Sequence, residues 1–202
     1  ITVNITPKEL KIIKLVADNK IYDGTTLIRL GGGELVGVSE GDNVSFILPE
    51  YANTDNKNIG RHILTIDEIT LSGEDAFNYT LAQPIYGTMT AEIYIKDVYV
   101  EGFACQNKSY DGNNIIQITK GNLIGKVDGD DLEVVQPDIG IAESANAGTW
   151  SVSIEELKLV GVDKDNYNLI QPDPNTLIVT INQAIGILEI GCDSKKFDRE
   201  PI

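Results

Sequence analysis

Asn19-Lys20-Ile21-Tyr22-Asp23-Gly24 recurs as Asn107-Lys108-Ser109-Tyr110-Asp111-Gly112, 88 residues further along a 202-residue chain. At the same offset, without a gap, Gly33-Glu34-Leu35-Val36-Gly37 falls on Gly121-Asn122-Leu123-Ile124-Gly125, and Gly41-Asp42 on Gly129-Asp130. Pro49 falls on Pro137, and Asn58-Ile59-Gly60 on Asn146-Ala147-Gly148. The longest block, Leu71-Ser72-Gly73-Glu74-Asp75-Ala76-Phe77-Asn78-Tyr79-Thr80-Leu81, maps onto Leu159-Val160-Gly161-Val162-Asp163-Lys164-Asp165-Asn166-Tyr167-Asn168-Leu169, and Gln83-Pro84 onto Gln171-Pro172. A fixed period of this kind decides the architecture before any single residue does. It sets two tandem copies, residues 7–93 and 94–181.

Fainter echoes flank them. Ile1 to Thr6 resembles the run Met89 to Tyr94 that closes the first copy, which predicts the end strand of a preceding repeat at residues 1–6. Lys195-Lys196-Phe197-Asp198-Arg199 lies 87 residues after Lys108 to Gly112, so residues 182–202 read as the start of a third repeat or a C-terminal extension. With Ile1 in place of an initiator Met, the expectation is a piece cut from a longer array.

A period of 88 residues is too long for solenoid coils of about 20–50 residues. It is close to the roughly 100 residues of an immunoglobulin-like sandwich. The expected fold is therefore all-β: two tandem immunoglobulin-like β-sandwich domains, each with its own core, with β-grasp-like repeats as the alternative. Short apolar runs between Gly, Asp, Asn and Pro support strands at Lys11–Val16, Leu27–Leu30, Val44–Leu48, Tyr79–Ala82 and Thr88–Ile95, with Leu132–Val135 matching Val44–Leu48 in the second copy. Along Arg61 to Leu71 the alternation slips at Asp67-Glu68, and the second copy slips at Glu155-Glu156. A slip of one residue would turn every later side chain to the wrong face, so a bulge or tight turn is predicted there, with a single helical turn at Glu155-Glu156-Leu157 as the alternative. Only Lys96-Asp97 separates the last predicted strand of the first copy from Val98–Phe103, which predicts an elongated rod with limited bending.

Thirty-one acidic against 16 basic residues give a net charge of −15. That field opposes nucleic acid, whose binding requires Lys and Arg on phosphates, and an anionic membrane surface likewise. No run approaches the roughly 18 apolar residues of a membrane-spanning helix. The acidic excess reads first as a solubility device, with divalent-cation binding through the aspartates as the sharper alternative. Asp128, Asp130, Asp131, Asp163 and Asp165 are weak calcium candidates, lacking the spacing of an EF-hand loop.

Cys105 and Cys192 each precede the signature aromatic by five residues, where the first copy has Ala17. They are one structural position in successive units of about 12 Å radius of gyration, whereas a disulfide needs Cα atoms within about 7 Å. An intrachain bond is thus excluded, and both read as small packed residues. His62 is the single histidine. Gly31-Gly32-Gly33 lacks the Lys-Ser/Thr of a phosphate loop, and Asp67-Glu68 or Glu155-Glu156, adjacent on a strand, face opposite ways. No catalytic residues follow from the sequence, and no metal or cofactor beyond the weak calcium candidates.

The repeated residues read as folding devices. In Lys20, Tyr22, Asp23, Gly24 and in Lys108, Tyr110, Asp111, Gly112, the Gly supplies positive φ, the Asp bonds backbone N–H groups, and the Tyr packs over the turn. In Asn78, Tyr79 and Asn166, Tyr167, the Asn caps an acidic turn and the Tyr enters the core or bonds across a corner. Lys20 and Lys108 with Asn78 and Asn166 are conceivable partners in an intramolecular isopeptide bond.

These motifs resemble the YDG repeat domain of bacterial surface proteins. The first copy carries Lys20-Ile21-Tyr22-Asp23-Gly24-Thr25-Thr26 and the Leu71 to Leu81 block intact, while the second departs at Asn113-Asn114 and Lys164. The resemblance implies a non-catalytic stalk or adhesin module of a large extracellular or cell-surface protein, next to further repeats of the same chain. It carries over no catalytic residues. Direct binding of a glycan or glycoprotein, or service as an accessory domain of a secreted enzyme, are the alternatives. Trp150, aligned with His62, is the candidate stacking residue or a packed one.

Overall fold

The computed structural model describes residues 2–85, 87–188, 190 and 191, and its regular structure is strands with three short 3-10 turns. Cys192 and Lys195 to Arg199 lie outside the described residues. The first copy holds β1 (Lys8–Ala17), β2 (Lys20–Ile21), β3 (Leu27–Val36), β4 (Ser45–Ile47), β5 (Tyr51–Thr54), β6 (Gly60–Thr65), β7 (Thr70–Ser72), β8 (Tyr79–Ala82) and β9 (Thr90–Tyr94). The second begins with β10 (Lys96–Glu101), β11 (Ala104–Cys105), β12 (Lys108–Ser109), β13 (Ile115–Thr119) and β14 (Asn122–Ile124). It continues through β15 (Glu133–Val135), β16 (Ile139–Ala142), β17 (Gly148–Ser153), β18 (Lys158–Val160), β19 (Tyr167–Ile170) and β20 (Ile178–Asn182). The all-β class and the tandem order are as the sequence indicates.

In the first copy one curled sheet runs β2-β9-β6-β5-β3-β1-β8, with β4 paired to β7 separately. Both ends of this sheet are parallel pairs, β2 with β9 and β1 with β8, and the pairs between are antiparallel. The second copy divides the same set into a six-stranded sheet β11-β13-β16-β17-β20-β12, a three-stranded sheet β14-β10-β19 and the pair β15-β18. The division falls where the long strands β1 and β3 bend. Lys14 has φ 59° and Gly32 φ 68°, and a Cβ on Gly32 would sit 2.5 Å from the Lys14 carbonyl oxygen, so the two backbones can cross only with glycine there. Gly102, φ 81°, stands at the Lys14 position and separates β10 from β11. Each copy thus comprises a curled sheet and a smaller cap, with the chain passing from one to the other at these bends. The sequence reading ended the Leu27 strand at Leu30, whereas β3 continues through the three glycines to Val36.

Compact bodies do not follow the copies. One comprises Ile1–Glu101, Gly121–Gln136 and Leu157–Gln171, and so joins the whole first copy to the cap of the second. The other comprises Gly102–Lys120, Pro137–Glu156 and Pro172–Ile202, the curled sheet of the second copy. The core of the first body unites Tyr22, Ile28, Leu64 and Ile93 from copy one with Val98, Leu132 and Tyr167 from copy two. The expectation that each copy buries a core of its own therefore needs correction. Only Ile95 separates β9 from β10, so Val98 enters the core begun by Ile93 on the preceding strand. Each such apolar side chain contributes about 1.5–3 kcal/mol. The second body packs Ile116, Val152, Val179 and Ile181 with Ala142 and Leu177.

The slip in alternation is a loop. β6 ends at Thr65, and residues 66–69 leave the ladder before β7 starts at Thr70. Ile69 is nevertheless buried, and Gln83 serves its backbone: the Ile69 N–H donates to Oε1 at 3.0 Å and Nε2 donates to the Ile69 carbonyl at 2.8 Å. Gln171 does the same for Leu157, at 3.0 and 2.9 Å, and no helical turn forms at Glu155-Glu156-Leu157. The side-chain amide stands in for a missing strand neighbour, which explains why Gln-Pro repeats. Gln171→Ala should cost about 1–3 kcal/mol in urea unfolding, because two buried backbone groups lose their partners. Gln171→Glu, which can accept but not donate when ionised, should not restore that loss.

Candidate functional site

The Tyr-Asp-Gly loop begins where β2 ends. Lys20 and Ile21 pair in parallel with Ile93 and Tyr94, and the Tyr22 N–H donates to the Tyr94 carbonyl at 2.8 Å. Asp23 then accepts from the Thr25 N–H at 2.9 Å, closing an Asx turn that Gly24, φ 79°, allows to reverse. The Lys20 ammonium fills the turn, 2.6 Å from Asp23 Oδ1, 2.9 Å from the Thr25 carbonyl and 2.8 Å from its hydroxyl. Burial works against the charge on Asp23, yet hydrogen bonds from Lys20 and Thr25 hold its carboxyl below the ordinary range.

In the second copy Lys108 lies 2.7 Å from Asp111 and 2.8 Å from both the carbonyl and the side-chain oxygen of Asn113. Asn113 thus supplies the side-chain oxygen that Thr25 supplies in copy one, and the departure from Thr-Thr leaves the loop intact. Lys20 and Lys108 bond within their own loops, to Asp23 and Asp111, and not to Asn78 or Asn166.

Tyr22 does not pack over this turn. Its side chain, 1% exposed, enters the core of the first body and donates to Asp130 Oδ2 at 2.8 Å. Tyr167 donates to the same oxygen at 2.5 Å, its ring meeting that of Tyr22 edge to face with centroids 5.4 Å apart. Lys57 reaches Asp130 Oδ1 at 2.6 Å and Asp163 Oδ1 at 3.0 Å, with its Nζ 5.8 Å from the Tyr22 ring centroid. Asn166 completes the joint: its Oδ1 accepts from the Ile59 N–H at 3.0 Å and its Nδ2 donates to Asn58 at 3.1 Å. It bonds across to the neighbouring copy rather than capping its own turn.

Apart from the Tyr167–Asp130 bond, which lies within the cap, these contacts tie the curled sheet of copy one to the cap of copy two. Burial opposes ionisation of Asp130, and the bonds from Lys57, Tyr167 and Tyr22 outweigh it, so its carboxyl lies below the ordinary range. Hydrogen bonding to Asp130 lifts the Lys57 ammonium above its usual range, and burial lifts both tyrosines.

The aspartates offered as calcium ligands are otherwise employed. Asp130 and Asp163 pair with Lys57, Asp163 Oδ2 accepts from the Asp131 N–H at 3.0 Å, and Asp131 accepts from the Val162 N–H at 3.1 Å. Asp128 and Asp165 are exposed. Among the described residues no three His, Cys, Asp or Glu side chains gather as a metal cluster. Cys105 is a half-buried free thiol whose pKa burial raises, packed against the second core where Ala17 packs against the first. His62 Nε2 lies 2.8 Å from the Asn58 carbonyl, and Trp150 Nε1 donates to the equivalent Asn146 carbonyl at 2.7 Å, so both rings close the same loop. Lys57 had drawn no notice in the sequence because Ala145 stands at its position in copy two; its lack of a repeat was the available signal.

The fold and the joint define a class, a tandem all-β repeat in which a signature tyrosine of one copy is buried under the cap of the next. The YDG domain model matches residues 6–86 and 96–176, and the chain belongs to the YDG domain family. Comparison with curated proteins and with solved structures gave no match.

The joint has a worked-out pH dependence. A depressed carboxylate stabilises fully above its ordinary pKa of about 4 and loses that contribution as pH falls through its folded value; a raised ammonium or phenol stabilises fully below about 10 and loses it as pH rises through its folded value. Body one should therefore be most stable between about pH 4 and 10, and Asp130→Asn should flatten the acid limb of a thermal melting series. Gly24 and Gly112 give a second check. Both have positive φ, but a Cβ on Gly24 would meet Val127 Cγ1 at 2.8 Å, whereas nothing lies within 4 Å of one on Gly112. Gly24→Ala should thus destabilise more than Gly112→Ala, which carries only the backbone penalty of about 1 kcal/mol.

Proposed function

We propose that this chain is a non-catalytic stalk segment of a large bacterial surface or secreted protein, carrying an adhesin's binding region as stacked immunoglobulin-like modules do. The observation that supports it is the use of the signature residues. Tyr22, Asp130, Tyr167 and Asn166 are spent on holding one copy to the next, not on lining a cleft. A connector must transmit load between units, and a buried carboxylate bonded from both sides resists separation because parting the halves exposes it without partners. An extracellular location follows from the stalk role.

The competing reading is direct recognition of a glycan or host glycoprotein. It would rely on exposed aromatics such as Tyr51, Tyr94 and Tyr99. One of these is already engaged, since the Tyr94 hydroxyl accepts from Asn19 at 3.1 Å.

Single-molecule stretching separates the two. On the stalk reading, wild-type body one opens in a single cooperative step, and Tyr22→Phe or Lys57→Ala lowers the force at which it does so. A glycan array and a panel of matrix proteins should give no signal with this chain. Saturable micromolar binding that an aromatic substitution removes would overturn the stalk reading in favour of recognition.

A further inference from the structure

The joint described above occurs once, but each of its halves occurs twice. By the 88-residue offset, Tyr110 stands where Tyr22 does, Gly112 where Gly24 does and Asn146 where Asn58 does. Backbone geometry around them is the same: the Tyr110 N–H donates to the Asn182 carbonyl at 2.8 Å, as that of Tyr22 does to Tyr94. Their surroundings are not. Tyr22 is 1% exposed and Tyr110 is 45% exposed. Val127 covers Gly24, whereas among the described residues nothing lies within 4 Å of a Cβ on Gly112.

The complementary half is also bare. In the first cap Tyr79 donates to Asp42 and accepts from the Ser39 N–H at 3.1 Å, matching Tyr167 with Asp130 and the Val127 N–H. Asp75 accepts from the Asn43 N–H at 2.8 Å, as Asp163 does from Asp131. The cap is built, yet among the described residues Asp42 has neither the second tyrosine nor the lysine that Asp130 has. Asn78 is exposed where Asn166 is buried. Beside Ser39, Asp42, Asn78 and Tyr79 lies an open depression whose other wall is Ile5 to Lys8.

We propose that the open end of the second curled sheet, marked by Tyr110, Gly112 and Asn146, is a docking face for the Asp42–Tyr79 cap of a second copy of this chain. The occupant is fixed by continuity with the joint already present in body one, which shows this half and that half bound together. Tyr110 donates to Asp42 beside Tyr79, and Asn146 meets Asn78. The contact is heterologous, a face of one kind meeting a face of another. This stands apart from the stalk reading, since it requires only that two copies of the repeat recognise each other.

One element of the internal joint is missing. Ala145 occupies the Lys57 position, so the Asp42 and Asp75 carboxylates meet no ammonium. The net charge of −15 further opposes association, and screening at moderate salt relieves it. The contact is accordingly weak, and Ala145→Lys should strengthen it.

Sedimentation equilibrium of the full chain from about 10 μM to about 1 mM tests the proposal, a range matched to weak association. The average mass of wild type should rise above 22.0 kDa with concentration. Asp42→Ala, which spoils the cap, and Tyr110→Ala, which spoils the open end, should each stay monomeric alone. Their equimolar mixture should form a dimer and stop there, since only one productive pairing remains. Ala145→Lys should tighten association about tenfold. Should Asp42→Ala melt early, Asn78→Ala, changed at an exposed side chain, takes its place. A wild-type chain that stays at 22.0 kDa throughout, or a mixture that fails to associate, or an Ala145→Lys chain no tighter than wild type, overturns the proposal.

Discussion

A buried carboxylate must have partners, and body one is organised to provide them for Asp130. Its side chain is 3% exposed, and its two oxygens take one ammonium and two phenols. Those three donors come from two copies: Lys57 and Tyr22 from the first, Tyr167 from the second. Neither copy alone can satisfy the site. Desolvation of a lone carboxylate costs several kcal/mol, so the two halves are held by the penalty for leaving the charge unpaired more than by any single bond. The apolar contacts around it, Val98 and Leu132 against Ile28, Leu64 and Ile93, supply the bulk attraction and exclude water. The polar cluster fixes which cap fits and in what register.

Repetition of sequence does not produce repetition of environment. Tyr22 and Tyr110 sit on equivalent loops with equivalent backbone bonds, and one is in a core while the other faces solvent. What differs is the cap of the second copy, whose Leu132 and Tyr167 pack with Tyr22. In body one the buried core thus spans the whole first copy and the cap of the second, across the boundary between the sequence repeats. The bends at Lys14 and Gly32-Gly33, and the breaks at Gly102 and Lys120-Gly121, are where one role ends and the other begins.

Much of this was legible from the residues. Periodicity gave the tandem copies and their offset, and alternation located most strands, with Tyr79–Ala82 correct to the residue. The roles of Asp23 and Gly24 followed from turn chemistry. Strand order was not legible, because parallel end pairs such as β1 with β8 leave no mark in a pattern that reports only which face is buried. Nor was the partner of Tyr22. An alignment of the copies compares residues 88 apart, whereas Tyr22 and Asp130 are 108 apart and belong to different columns of that alignment. Asp130 was visible as half of the repeated Gly-Asp pair and as a member of an acidic run, neither of which names its partner, and the same shortness of polar side chain that suits a metal suits a phenol.

Lys57 carries the argument one step further. If the joint were only a matter of stability, both copies would carry the lysine, since each presents the same loop between Asn53 or Ile141 and the following glycine. Only the first does, and the second has Ala145. Charge pairs contribute less to raw affinity than to the choice between competing partners. A cap bearing Asp130 and Asp163 meets a lysine at the first open end and none at the second. The tyrosine and asparagine are therefore the shared grammar of the contact, and residue 57 or 145 ranks one junction above the other.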